Sequence, residues 1–147
     1  MTPTLIAIGI APKKDAPTED VARATLLPGQ GIEGDRRCRP GQKREQELTL
    51  ISAEAIDAFN AQNGTHIPYI AFRRNLVTRG IDLNTLVGRR FRVGGVECFG
   101  LELCEPCSKL ARLVDRRVLP DLVHRGGLRA AILGHGSVVP GDPLQVL

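Results

Sequence analysis

Short apolar runs separated by glycine and proline dominate the pattern of hydrophobic and polar positions along this chain. Runs at residues 4–10, 21–27, 48–51 and 76–78 consist mainly of aliphatic residues. Runs of this length, bounded by turn-forming residues, are typical of strands. We therefore predict four strands between residues 4 and 78.

The second half carries the clearest hairpin signal. Apolar and polar residues alternate over residues 89–93, Gly94-Gly95 supplies a two-residue turn, and the apolar pattern returns over residues 96–103. Further strands are predicted at residues 128–133 and 144–147. Many short strands at close spacing predict a mainly β fold of the α+β class, built as a closed or partly open β-barrel.

Two segments have the spacing of helices. Ser52 fits an N-cap, and Asn63-Gly64 fits a C-terminal stop for the helix between them. Apolar residues at helical spacing predict a second helix over residues 108–118. The polar segment 38–47, by contrast, is expected to be mobile.

Composition narrows the classes of function. The chain has 147 residues, 42% hydrophobic and 24% charged, and we expect residues 1–147 to form one domain. Aromatic residues make up only 3%, which argues against a nucleic-acid surface built from stacked rings. No apolar run has the length of a membrane span, and the N-terminus does not resemble a targeting segment. We therefore expect a cytoplasmic protein without nucleic-acid or membrane partners.

Arginine supplies most of the positive charge. The net charge is +4, and 16 of the 20 basic residues are arginines. They occur in pairs and triplets at residues 36–39, 73–74, 89–92 and 116–117. A guanidinium group binds carboxylate or phosphate through two parallel hydrogen bonds. These clusters indicate either an anionic small-molecule ligand or a solvated surface.

Two segments combine such arginines with other polar donors. The loop at residues 31–37 has glycines that permit positive φ, an aspartate and two arginines, which fits an anion cradle or a charged turn equally well. Residues 73–79 repeat the combination beside a short strand. The candidate ligand-binding residues are Gly34, Asp35, Arg36, Arg74, Asn75, Thr78 and Arg79.

The motif Cys104-Glu105-Pro106-Cys107 has four interpretations. Structural zinc is disfavoured because no second spaced ligand pair is present. A thioredoxin-like redox pair usually lies at an early strand-to-helix turn, whereas this motif follows a hairpin. Two buried, purely packing cysteines remain possible. The fourth interpretation is a reactive thiolate at Cys107, where the start of a helix and nearby basic residues lower a thiol pKa.

Several stretches, in order along the chain, resemble the MOSC domain, the family named for the C-terminal domain of molybdenum-cofactor sulfurase. The Arg-Asn-Leu-x-Thr-x-Gly-Ile-Asp-Leu stretch followed by Pro-Cys is the most specific of them. The matching stretches are Gly31-Ile-Glu-Gly-Asp-Arg36, Leu48-Thr-Leu-Ile-Ser-Ala-Glu-Ala55, Arg74-Asn-Leu-Val-Thr-Arg-Gly-Ile-Asp-Leu83, Leu86-Val-Gly88, Phe91, Pro106-Cys107, Leu110 and Gly136-x-Val-x-x-Gly-Asp142.

The resemblance implies a barrel-like β fold and one essential cysteine, which maps onto Cys107. In MOSC reductases of the amidoxime-reducing type that cysteine ligates the molybdenum of the pterin cofactor. In sulfurase-type proteins the domain is linked to sulfur transfer from a pyridoxal-phosphate cysteine desulfurase. Both roles need an accessible thiolate in an electropositive pocket, and thiolate is a soft ligand that suits such a metal.

Three functional hypotheses follow. In the first, the protein binds molybdenum cofactor or carries a persulfide sulfur on Cys107. In the second, it is a cofactor-dependent reductase of N-hydroxylated compounds that needs a separate electron-donor protein. In the third, the Cys-x-x-Cys motif serves a thiol-redox or interaction domain without cofactor. Many MOSC relatives lack a second thiol at the position of Cys104, so a Cys104–Cys107 disulfide is a candidate gate of the site. Cys98, by contrast, is expected to pack in the core.

Overall fold

Eleven strands and three short α-helices make up the computed structural model, which describes residues 2–147. None of the helices within that range is long and apolar enough to cross a membrane. The strands are β1 (Thr4–Ile10), β2 (Glu19–Asp20), β3 (Ala24–Leu27), β4 (Gly31–Ile32), β5 (Leu48–Ser52), β6 (Leu76–Arg79), β7 (Arg90–Val93), β8 (Val96–Leu103), β9 (Leu128–Ile132), β10 (Gly136–Val138) and β11 (Leu144–Val146). The helices are α1 (Ala53–Asn63), α2 (Ser108–Leu113) and α3 (Val118–Asp121), with 3-10 turns at Arg44–Gln46, Tyr69–Phe72 and Leu83–Leu86.

One large sheet carries eight of the strands in the order β11-β7-β8-β9-β5-β6-β1-β2. All neighbours in it are antiparallel except β5 and β6, which are parallel. A parallel pair needs a crossover connection, and α1 lies within it. The other three strands form a small sheet in the order β10-β3-β4.

Backbone hydrogen bonds bring the two sides of the large sheet together. The amide of Leu5 in β1 donates to the carbonyl of Asp142 at 2.8 Å, and the amide of Gly141 donates to the carbonyl of Leu5 at 2.8 Å. The amide of Leu144 in β11 donates to Pro3 at 2.9 Å. The sheet is therefore curled into a partly open barrel, as the sequence predicted.

The core has two aliphatic layers on opposite faces of the curled sheet. One fills the interior of the barrel and includes Leu5, Leu50 and Leu128. The other lies between the sheet and the helices, where Phe59 and Phe72 pack edge to face with ring centroids 5.6 Å apart. A chain with few aromatics fills its core mainly with Leu, Ile, Val and Ala.

Local signals predicted some elements and misjudged others. The hairpin β7–β8 and helix α1 are confirmed, and the Ser52 hydroxyl caps α1 by accepting from the amide of Ala55 at 3.0 Å. The predicted strand 21–27 is shorter, because regular pairing in β3 begins only at Ala24. The predicted helix 108–118 is interrupted, since α2 ends at Leu113 and the Asp115 carboxylate accepts from the amide of Arg117 at 2.9 Å.

The polar segment 38–47, which we expected to be mobile, is held in place by buried polar groups. The amide of Gln42 donates to the carbonyl of Gly29 at 3.0 Å. Glu47 is buried, and one of its oxygens accepts from the amides of Gly29 and Ile132, both at 3.1 Å. Arg44 lies 2.8 Å from the second oxygen. The segment has no apolar pattern that predicts order, and its partners Gly29 and Ile132 are not adjacent to it in the sequence.

Two glycines before β9 allow three segments to meet. Gly127 has φ +121°, and a Cβ there would overlap the carbonyl oxygen of Leu50 in β5. A Cβ on Gly126 would overlap the carbonyl oxygen of Cys104. The amide of Cys104 in turn donates to the carbonyl of Gly127 at 2.7 Å. Only glycine fits at this junction, which places the Cys104–Cys107 segment against the sheet.

We predict that Gly127→Ala lowers the free energy of unfolding by about 2–3 kcal/mol, because the new methyl group forces the packed backbone apart. Gly95→Ala is the matched control, since Gly95 has open space around it and should change stability by less than about 0.5 kcal/mol. Chemical denaturation of both variants measures the difference. Equal stabilities would contradict the close approach at Gly127.

Candidate functional site

An open cleft lies where the loops after β1, β4 and β8 meet the residues before β6. It encloses about 780 Å³ of empty space, its open mouth included. Segments far apart in sequence form its walls. The lining residues are Ala11, Thr18, Asp35, Arg36, Arg37, Thr49, Arg73, Arg74, Asn75, Cys104, Glu105, Cys107, Lys109, Leu110, Leu113 and Arg129.

Asp35 fixes the loop that carries two of the cleft arginines. One carboxylate oxygen accepts from the amide of Ala11 at 2.9 Å, and the other accepts from the amide of Arg37 at 3.2 Å. The amide of Arg36 donates back to the carbonyl of Ala11 at 2.9 Å. Both carboxylate oxygens are therefore engaged by the backbone, and the side chains of Arg36 and Arg37 project from a braced loop.

Arg74 is the most buried charged group of the cleft, with 8% of its surface exposed. Its Nε donates to the carbonyl of Gly126 at 2.8 Å, and one terminal nitrogen donates to the carbonyls of Cys104 and Glu105 at 3.1 and 3.4 Å. Burial lowers the pKa of Arg74, and the nearby Cys104 sulfur opposes that shift. The guanidinium thus ties the Cys104–Cys107 segment to the turn before β9.

Asn75, directly before β6, is hydrogen-bonded to strands β1 and β5 at the back of the cleft. Its side-chain oxygen accepts from the amide and the hydroxyl of Thr49, both at 3.1 Å, and its amide nitrogen donates to the carbonyl of Gly9 at 3.2 Å. The Thr49 hydroxyl also accepts from the backbone amide of Asn75 at 3.0 Å. Asn75 therefore connects β1, β5 and the start of β6.

The four cysteines are free thiols in very different surroundings. Cys107 is exposed at the cleft wall just before α2, whereas Cys104 has only 2% of its surface exposed. Cys98 lies in the barrel core, as expected, and burial raises the pKa of its thiol to about 12. Cys38 is half-buried outside the cleft wall, and burial raises its pKa. Cys107 is the accessible thiol of the site.

Positive charge dominates the cleft. Its lining includes six basic residues and two acidic ones, Asp35 and Glu105. Burial is the main cause that lowers the pKa of Arg37 and of Arg73, and the neighbouring Arg36 charge is the second cause for both. Like charges held this close favour an anion between them. The six basic residues are Arg36, Arg37, Arg73, Arg74, Lys109 and Arg129.

Glu105 on the cleft wall and Asp15 outside it are each paired with a basic side chain. The Glu105 carboxylate lies 2.7 Å from Nδ1 of His124 and accepts from the amide of His124 at 2.7 Å. Outside the lining, Asp15 lies 2.9 Å from the Lys109 ammonium, and Arg73 donates to the carbonyl of Ala16 at 2.7 Å. The contacts of Asp15 and Ala16 hold the segment after β1 against one side of the cleft.

The structure brings together most of the residues that the sequence singled out. Asp35, Arg36, Arg74, Asn75, Cys104 and Cys107 line the one cleft. Gly34 adjoins it in the braced loop, with φ +90°. Sequence reasoning did not select Arg129 or Thr49 as candidates, and the pairing of β5 with β9 places these two residues opposite each other at the cleft.

Thr78 and Arg79 do not line the cleft. Residues of a strand are separated by about 3.3 Å each, so these two lie at the far end of β6 from Arg74 and Asn75. Thr78 is fully buried, and Arg79 donates to the Asp57 carboxylate at 3.1 Å and to the Tyr69 hydroxyl at 2.7 Å. Both residues therefore lie outside the cleft that the other candidate ligand-binding residues line or adjoin.

Comparisons with solved structures find the same fold. The YuaD protein from Bacillus subtilis has a TM-score of 0.85 and 18% identity over 99% of this chain and 96% of that one. YiiM from Geobacillus stearothermophilus has a TM-score of 0.77 and 19% identity over 99% and 75%. YiiM from Escherichia coli has a TM-score of 0.71 and 20% identity over 98% and 69%. No curated protein matches the sequence.

Within residues 2–147, no group of three or more His, Cys, Asp or Glu side chains is arranged to hold a metal ion.

A match to a family model assigns the chain to a family. The model for the MOSC domain matches residues 15–145, which include every residue of the cleft except Ala11. The match covers far more than half of the sequence and agrees with the fold, so this chain belongs to the MOSC domain family.

Proposed function

We propose that this protein binds the molybdenum cofactor in the cationic cleft, with Cys107 as the protein's ligand to the metal. The observation that carries the proposal is the exposed Cys107 thiol on the wall of a cleft with six basic residues. Membership of the MOSC family supports the choice of cofactor. An ordinary solvated surface would not concentrate these charges around one thiol.

The residues of the cleft fit the chemistry of that group. A thiolate is a soft ligand for a heavy transition metal, and the cofactor brings its own sulfur ligands and an anionic phosphate end. Guanidinium groups match phosphate oxygens. The hydroxyl of Thr18, buried on the cleft wall, has no hydrogen-bond partner among residues 2–147 and is available to a ligand.

Each cleft residue has a separate task in this proposal. Arg36, Arg37 and Arg73 bind the anionic parts, while Arg74 and Asp35 hold the two loops that position Cys107 and Arg36. When bound, the cofactor would supply two-electron redox chemistry at molybdenum. The enzymatic form of the proposal is reduction of N-hydroxylated compounds, with electrons from a separate donor protein.

Sulfur carriage is the second candidate function. The observation that favours it is the second thiol, Cys104, within the same cleft as Cys107. In this case Cys107 accepts sulfur as a persulfide from a pyridoxal-phosphate cysteine desulfurase, and the same cations stabilise the anionic persulfide. Both candidates place the reactive sulfur atom at Cys107.

We predict that Cys107→Ser, purified from a host that makes the cofactor, carries at least about tenfold less molybdenum per chain than the wild type. Serine keeps the size of the side chain and removes the thiolate ligand. Elemental analysis measures the metal. Cys38→Ser, altered outside the cleft wall, should retain the wild-type content.

Equal metal in Cys107→Ser and the wild type would overturn Cys107 as the ligand. Absence of metal from all three proteins would overturn cofactor binding itself. Mass spectrometry of Cys107 for a persulfide, after incubation with a cysteine desulfurase and cysteine, would then decide on sulfur carriage.

We also predict that the double variant Arg36→Ala/Arg37→Ala reacts roughly tenfold more slowly at Cys107 with an anionic aromatic disulfide reagent. Its rate with a neutral dipyridyl disulfide should change little, because the lost interaction is electrostatic. The control is Arg89→Ala/Arg92→Ala, two exposed arginines outside the cleft. Stopped-flow absorbance gives the rates, and the anionic preference should shrink with added salt. An unchanged ratio of anionic to neutral rates would contradict an anion-binding role for Arg36 and Arg37.

A further inference from the structure

The cleft contains a second thiol that binding of a cofactor to Cys107 leaves unused. Cys104 and Cys107 both line the cleft and are separated by two residues. Cys107 is exposed to solvent, whereas Cys104 is almost fully buried. One thiol is therefore open to external partners, and the other is reached through the cleft.

Positive charge surrounds the buried thiol. The Cys104 sulfur is close enough to the guanidiniums of Arg37 and Arg74 to raise the pKa of each, against the larger lowering caused by burial. Neither guanidinium has a salt-bridge partner among residues 2–147. A purely packing cysteine, such as Cys98 in the barrel core, has no such cations beside it. This positive charge distinguishes Cys104 from a cysteine that only fills the core.

The backbone around Cys104 is fixed by contacts that do not involve its sulfur. Its amide donates to Gly127 at 2.7 Å, and its carbonyl accepts from Arg74 at 3.1 Å. The intervening Glu105 is anchored to His124, and Pro106 limits the remaining backbone freedom. Two thiols that are two residues apart on the wall of one cleft have a high effective concentration for each other.

We infer that Cys104 is a resolving thiol for Cys107, which discharges any sulfur substituent that Cys107 carries. The inference rests on the proposed role of Cys107 as the reactive thiol of the site. It adds a thiol–disulfide exchange activity that depends on both cysteines of the motif.

The chemistry balances in two exchange steps. The Cys107 thiolate attacks a low-molecular-mass disulfide, forms a mixed disulfide and expels one thiolate, which takes a proton from water. The Cys104 thiol loses its proton to solvent and attacks the Cys107 sulfur, which breaks the mixed disulfide and expels the second thiolate. The two cysteines are oxidised to one disulfide, and the reagent is reduced to two thiols. With a persulfide on Cys107, the second step alone releases hydrogen sulfide.

The test uses oxidised glutathione as the probe and intact-mass and peptide mass spectrometry as the readout. The wild type should lose two hydrogens, release two glutathione molecules per chain and contain a Cys104–Cys107 linkage. Cys104→Ala should release one glutathione and keep the other on Cys107, with the adduct at least about tenfold longer-lived than in the wild type. Cys38→Ser should behave as the wild type.

Two outcomes overturn the inference and are distinguishable. A stable Cys107 adduct in the wild type, as long-lived as in Cys104→Ala, would refute the resolving role while leaving Cys107 as the reactive thiol. No adduct and no disulfide in any protein would also refute Cys107 as the reactive thiol. Mapping of the linkage in the wild type keeps the test valid if Cys104→Ala folds poorly.

Discussion

The hydrogen bonds of one buried guanidinium group determine the arrangement of the whole site. Arg74 donates to the carbonyls of Cys104, Glu105 and Gly126, three groups from two loops that would otherwise have no common partner. A buried carbonyl without a hydrogen bond costs about 1–3 kcal/mol, so the arginine and the loops stabilise each other. Because lysine presents a single ammonium group, it does not reproduce this set of contacts.

The polar residues of the cleft divide into those that build it and those that remain available. Asp35 and Asn75 use their side chains on backbone groups and on Thr49, and Glu105 is paired with His124. The cations therefore have few acidic partners within the cleft. The excess positive charge of the cleft follows from the way the acidic groups are used in folding.

The sequence was sufficient for features that depend on neighbouring residues. The β7–β8 hairpin followed from alternation around Gly94-Gly95, and α1 followed from Ser52 and Gly64. The interruption after Leu113 was not predictable, because it depends on how Asp115 meets the backbone of Arg117.

In the site, too, features set by neighbouring residues were predictable, and features set by contacts between distant strands were not. The stretch from Arg74 to Leu83 contributes Arg74 and Asn75 to the cleft wall, whereas the direction of β6 takes Thr78 and Arg79 away from it. Arg129 had no local signal, since only the pairing of β9 with β5 and β8 brings it near Arg74.

The way the cleft is assembled has a consequence for folding kinetics. Its walls come from the loops after β1 and β4, strand β5, the residues before β6, the segment after β8 and strand β9. Contacts between such distant residues form slowly, because the chain must lose much loop entropy before they contribute stability. The cationic surroundings of Cys104 and Cys107 therefore exist only in the nearly complete barrel. In a newly synthesised chain the two thiols lie among unrelated neighbours, and only folding places them in one cleft beside these basic residues.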